Sequence, residues 1–135
     1  GLPLAMGAAL GTGSHALLVQ GDGGLQLSIG ELSACAEHQI PVIVLVFNDS
    51  GYNILRMIQE SVLGRKHGTE LSKVDFVGVA NGMGVEAERV EGVDQFESAL
   101  ARALERQGPT LLDIDMSFLA PIELPLPAHQ RAKQD

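Results

Sequence analysis

Apolar residues along this chain follow two alternating rhythms. Short continuous apolar runs give way to segments in which apolar residues recur every three or four positions. Residues 3–10, PLAMGAAL, put Pro3 at a first helical position ahead of small residues, which predicts a helix packed closely on a neighbour. HALLVQ, 15–20, is too short for a helix and predicts a buried strand. Leu25, Ile29, Leu32, Cys35 and Ala36 recur at helical spacing, which predicts a helix over 25–39. IPVIVLVFND, 40–49, is a β-branched apolar run of the kind found in a parallel strand covered on both faces. GYNILRMIQESVLG, 51–64, predicts a helix, and GRKHGTELS, 64–72, a loop. KVDFVGVANGMG, 73–84, predicts a further helix closed by a glycine cap. VEAERV, 85–90, alternates as a strand. GVDQFESALARALERQG, 92–108, is an amphipathic helix with an acidic start and a basic end, and PTLLDIDM, 109–116, is the last strand.

The order α-β-α-β-α-α-β-α-β predicts an α/β domain, an open parallel sheet with helices on both faces, because right-handed crossovers are nearly the only way to join such strands. Sheets of this kind bind ligands at the carboxyl ends of their strands. The domain is expected over 1–116, with a proline-rich extended tail over 117–135. The chain opens on Gly-Leu-Pro, not on methionine, which suggests a domain truncated at its N-terminus, begun inside its first helix and lacking the strand before it.

Composition narrows the function classes. At 135 residues the chain can bury one core. A net charge of −8 with no basic stripe argues against a nucleic-acid partner. The lone cysteine, Cys35, has no partner to pair with in the chain, which fits a reduced, cytoplasmic setting. No segment approaches the roughly 18 continuous apolar residues of a membrane span, so no membrane partner is expected.

Two motifs fall at predicted strand ends: GDGG, 21–24, and NDSGY, 48–52. Neighbouring strands would bring Asp22 and Asp49 together, and two converging carboxylates repel unless one takes a proton or both share a cation. Magnesium suits such a pair, since it takes oxygen ligands and completes its shell with phosphate oxygens and water. Gly21, Gly23 and Gly24 let backbone N–H groups approach an anion, with the following helix adding its positive end. Either motif alone is also compatible with a plain turn, the Asp capping the helix. Gln26 stands where a dinucleotide fingerprint needs glycine, and no Lys-Ser or Lys-Thr follows any of these glycines as a P-loop requires.

Gly-Asp-Gly, about two dozen residues, then Asn-Asp followed closely by Gly-Tyr resembles the thiamine diphosphate-dependent enzymes, the family of acetolactate synthase, pyruvate decarboxylase and benzoylformate decarboxylase. The likeness extends from GLPLAMGAALG through LQLSIGELSACAEHQIPVIVLVFND to GTELSKVDFVGVANGMGVEAERV, roughly residues 1–116. It implies the thiamine diphosphate-binding fold and the C-terminal, cofactor-anchoring domain of a longer oligomeric enzyme that decarboxylates or joins 2-oxo acids, dimeric or tetrameric. It further implies magnesium held by Asp22, Asp49 and the carbonyl of Gly51, with the diphosphate on the amides of Gly23 and Gly24 and those near Tyr52. Many relatives have Asn where this chain has Asp49, so the site carries one extra negative charge. Many have Ser where Gly24 stands, which leaves only backbone donors there. The glutamate that activates the cofactor in this family has no match in the chain, so the catalytic residue is unknown and the isolated chain is not expected to be active.

Other candidates are weaker. Asn53 caps a helix or touches the cofactor. Glu31 reads as an exposed or capping carboxylate, and Arg65, Lys66 and His67 as a solvated loop. His15, His38 and His67 lack ligand spacing, and Cys35 reads as core. Two further readings stay open: a metal-diphosphate binding module or idle homologue without catalysis, and a structural part of an oligomer with a vestigial motif.

Overall fold

In the computed structural model, which describes residues 1–120, helix α1 (Leu2–Thr12) leads into strand β1 (Ala16–Gly21). The short helices α2 (Asp22–Gln26) and α3 (Glu31–Glu37) precede β2 (Val42–Asn48), and α4 (Asn53–Leu63) and α5 (Phe76–Gly82) precede β3 (Glu86–Val90). Helix α6 (Val93–Glu105) and β4 (Thr110–Asp115) complete the sheet, and a 3-10 turn follows at Met116–Phe118. The strands are all parallel, in the order β1-β2-β4-β3. Register aligns their carboxyl ends, with Gly21 opposite Phe47 and Asn48 opposite Asp115.

Side-chain parity in β2 explains its long apolar run. Val42, Val44 and Val46 pack into one core with Leu2, Leu25, Leu32, Cys35, Phe76 and Leu111, while Ile43 and Leu45 pack into a second with Val90, Ala99, Ala103, Leu112 and Ile114. The strand is therefore covered on both faces, as its composition predicts. β1 lies at the sheet edge, and its Leu17 and Val19 stay 54% and 62% exposed on the face that α6 covers farther along.

Three boundaries differ from the sequence reading. The helix expected over 25–39 is two helices, joined by tight three-residue bonds such as Ser28 N–H to Leu25 O and Leu32 N–H to Ile29 O. Ser28 and Gly30 are the kind of residues at which a helix kinks. Helix α2 begins at Asp22, so GDGG makes the first turn of a helix rather than a free loop, and at five residues it offers local N–H groups and little macrodipole. Helix α5 starts at Phe76, not 73, because Asp75 accepts from Gly78 N–H at 2.8 Å and caps it. The first residues of the expected extended tail form the 3-10 turn, and the remainder of that tail lies outside the described residues.

Candidate functional site

Adjacent parallel strands β1 and β2 bring the two motifs to one end of the sheet. Asp22 is 4% exposed. Its Oδ1 accepts from Gly23 N–H at 2.8 Å, and its Oδ2 accepts from Gly51 N–H at 3.0 Å across the gap between the strands. The first motif's carboxylate thus orients the second motif's backbone. Burial pushes the Asp22 carboxyl above its usual range and the nearby charge of Asp49 adds to that, against the two N–H bonds and the Arg56 charge.

Asp49 faces a residue that the motifs do not reveal. Arg56, one turn into α4, donates from Nη2 to Asp49 Oδ2 at 2.5 Å and from Nη1 to Glu70 Oε2 at 3.0 Å. A cation therefore already sits against Asp49, and it is the side chain of Arg56.

The glycines have reasons of their own. A Cβ on Gly23 would stand 2.4 Å from the Tyr52 ring, on Gly24 2.9 Å from Gln20 Nε2, and on Gly51 2.7 Å from the Thr69 carbonyl. No such contact constrains Gly21, where the nearest atom to an added Cβ is 3.9 Å away. The amides expected to meet a diphosphate are partly engaged, Gly23 and Gly51 with Asp22 and Tyr52 N–H with Thr69 O at 2.9 Å. An anion there would exchange partners with groups already at hand. Gln20 turns its Nε2 toward Gly24 and its Oε1 toward Gly1, where the Oε1 is buried with no partner among the described residues.

Asn48 holds the turn of the second motif. Its Oδ1 accepts from Ser50 N–H at 3.1 Å, and Ser50 takes a left-handed φ of 57°. Such an Asx turn is the usual way for Asn to shape its own backbone. Segment 69–71 supports the motif from the other side, Leu71 N–H reaching Ser50 O at 3.0 Å. An open cleft of about 990 Å³ runs from Asp49, Asn53 and Arg56 toward Arg89 and Asp113, but Asp22 is not on its wall.

The remaining candidates fall away from these carboxylates or play plain parts. Asn53 is the first residue of α4 and makes no cap bond, but lines the cleft. Glu31 is exposed in the first turn of α3. Arg65, Lys66 and His67 are exposed in the loop after α4, Lys66 meeting Glu60 at 3.3 Å. His15 Nε2 lies 2.7 Å from the Arg106 carbonyl, and His38 is exposed. Cys35 is fully buried. Sequence reasoning missed Arg56, Arg89 and Asp113. Asp113 carried a signal, a charge between Leu112 and Ile114 in a strand covered on both faces, which requires a buried partner.

The donor set suits a hard divalent cation. Two carboxylates at one sheet end offer oxygen alone, and among the described residues no group of three or more His, Cys, Asp or Glu side chains is arranged as a closed metal site. Backbone, water and phosphate oxygens would complete the shell, as magnesium commonly requires.

Comparison with known proteins bears on this arrangement. The family described as "Thiamine pyrophosphate enzyme, C-terminal TPP binding domain" matches residues 1–114. Acetolactate synthase of Bacillus subtilis (strain 168) is 31% identical over 124 residues, covering 91% of this chain and 22% of that protein. The acetolactate synthase large subunit of Pyropia yezoensis is 29% identical over 122 residues, covering 87% of this chain and 20% of that protein. The solved thiamine diphosphate-dependent 4-hydroxybenzoylformate decarboxylase of Rhodococcus jostii RHA1 superposes with a TM-score of 0.80 at 32% identity, over 85% of this chain and 22% of that one. The chain thus spans about a fifth of the length of these relatives.

Proposed function

The chain belongs to the thiamine pyrophosphate enzyme family, as its C-terminal TPP-binding domain, and from that premise we propose that it anchors thiamine diphosphate through magnesium within a longer enzyme acting on 2-oxo acids. The observation that carries this reading is that Asp22 and Asp49 follow neighbouring strand ends, near enough for the Asp49 charge to act on Asp22, while Asp22 also binds the Gly51 N–H of the second motif. Asp22 and Asp49 would supply carboxylate oxygens to the metal and Gly51 its carbonyl. Amides of Gly21, Gly23, Gly24 and Tyr52 would face the diphosphate, with Asn53 at the cleft wall. When bound, the cofactor supplies the carbanion-stabilising chemistry. The chain's residues would fix its charged end, and the Gly23 and Gly51 N–H groups oppose the rise that burial imposes on the Asp22 carboxyl.

Decarboxylation, carbon–carbon joining, or both are proposed for the whole enzyme, which the resemblance to acetolactate synthase and to a decarboxylase supports. Its activating glutamate would come from outside this chain. A homo-oligomer is proposed, supported by the bare apolar edge of β1. A cytoplasmic setting is proposed on the unpaired Cys35. No helix among the described residues is long and apolar enough to cross a membrane.

Calorimetric titration with thiamine diphosphate tests the reading. Binding is expected with magnesium and strongly reduced without it, and lost in Asp22→Ala. Binding that ignores the metal, or that survives Asp22→Ala, would count against it. A catalytically idle module predicts the same binding but no turnover when the missing domains are supplied.

A further inference from the structure

Parity puts Val46 and Asn48 of β2, Leu111 and Asp113 of β4, and Ala87 and Arg89 of β3 on one side of the sheet, where Val46, Leu111 and Ala87 belong to the first core. Toward the carboxyl ends this face changes from apolar to polar. Asp113 is 3% exposed and Asn48 7%. Asn48 Nδ2 donates to Asp113 Oδ1 at 2.9 Å, and Arg89 donates from Nη1 to Asp113 Oδ2 and from Nη2 to Asp115 Oδ2, both at 2.7 Å. The other end of the Asn48 amide accepts from Ser50 N–H.

An amide in such a position has no freedom to turn over. If its Nδ2 faces a carboxylate that can only accept, its Oδ1 must face the Ser50 N–H. We propose that Asp113 is a positioning residue for the cofactor site: through the orientation of Asn48 it sets the turn that carries Asp49 and Gly51. This deepens the reading of Asp22 and Asp49 as magnesium ligands and rests on it. Arg89 belongs to the same device, because a buried carboxylate needs a paired charge and Arg89 takes the oxygen that Asn48 leaves.

The logic predicts a specific rescue. In Asp113→Asn the new side chain must present its oxygen to Arg89 and therefore its NH2 to Asn48. Asn48 then either turns over, losing the Ser50 bond, or sets two NH2 groups face to face. In Asn48→Asp two carboxylates meet. Combined, the substitutions restore the pattern with the bond reversed: a carboxylate at 48 accepts from both the amide at 113 and the Ser50 N–H. A pair needed only for general stability would show this coupling in thermal unfolding and leave metal affinity unchanged.

Mn2+ affinity of the 135-residue chain in the presence of thiamine diphosphate, read by electron paramagnetic resonance, tests this beside thermal unfolding. Each single substitution is expected to weaken Mn2+ about tenfold or more, and the double to return within about threefold of the parent. Asn48→Ala, which leaves the Asp113–Arg89 pair intact, should weaken Mn2+ to a similar degree and serves if Asp113→Asn does not fold. Parent-like affinity in Asn48→Ala or in Asp113→Asn, or a double variant no better than the singles, would overturn the positioning role while leaving the metal site standing. A parent chain that does not bind Mn2+ at all, with Asp22→Ala indistinguishable from it, would overturn both.

Discussion

Arg56 and Asp49 make a partly buried ion pair at the candidate site, Nη2 to Oδ2 at 2.5 Å, with side chains 17% and 14% exposed. The pair answers a question left by the sequence, where Asp49 adds a second negative charge near Asp22. The chain neutralises that charge itself, and Glu70 holds the other arm of the guanidinium.

Arg56 therefore competes with any cation for Asp49. Arg56→Met should bind Mn2+ alone roughly three- to tenfold more tightly, the scale of a partly desolvated ion pair. Glu70→Gln, which loosens the other arm without touching Asp49, should change affinity little. Paramagnetic titration of both variants checks this, and weaker binding in Arg56→Met would show that the guanidinium supports the metal site instead of opposing it.

Gly23 and Gly51 differ in what blocks a side chain. At Gly23 the obstacle is the Tyr52 ring, 39% exposed and free to swing outward. At Gly51 it is the Thr69 backbone carbonyl, tied by the Tyr52 N–H bond. Gly51→Ala should cost about 2 kcal/mol or more of folding stability and Gly23→Ala about 1 kcal/mol or less. Denaturant unfolding orders them, and the reverse order would contradict the packing described around Thr69.

The sheet was legible because each strand advertises its environment. The β2 run is apolar on both parities, and the two motifs stand where glycines interrupt a strand-to-helix passage. The break between α2 and α3 was not, because Leu25 and Leu32 are both buried and the apolar rhythm continues across the kink. Helix α4 was found by its amphipathic pattern, yet it has no fully buried residue and leaves Ile54, Leu55, Ile58 and Val62 half-exposed. Periodicity reports an apolar face, not what covers it. Arg56 gave no sign of its role, and the charge of Asp113 within a covered strand signalled a buried partner without saying which, because the partners lie across tertiary contacts, seven positions away for Asp49 and 65 for Asn48.

Cys35 offers a check on the first core. It is a fully buried residue of α3, and burial, with a smaller push from Glu31, raises its thiol to about 11. A disulfide reagent near pH 8 should leave it unmodified in the native chain and modify it upon unfolding. Rapid native-state modification would mean that α3 does not pack as described.

Asp22 sets the sign of a pH response. Its carboxyl is raised in the folded chain above the ordinary value of 3.8, chiefly by burial. Between those two values the folded chain binds more proton than the unfolded one, so this group's contribution to stability is complete at acidic pH and is lost as pH rises through the folded value. Magnesium needs the deprotonated carboxylate, so its stabilising effect should appear across the same window and grow upward. At a hundredfold excess over its dissociation constant the metal, with thiamine diphosphate, should add about 2.7 kcal/mol near neutrality. Asp22→Asn keeps one acceptor for the two N–H groups but loses both the proton equilibrium and the metal response. Melting curves from about pH 4 to 8, with and without magnesium, measure both effects. A metal-induced rise in Tm as large at the acidic end as at neutrality, or one that persists in Asp22→Asn, would show that the cation binds elsewhere.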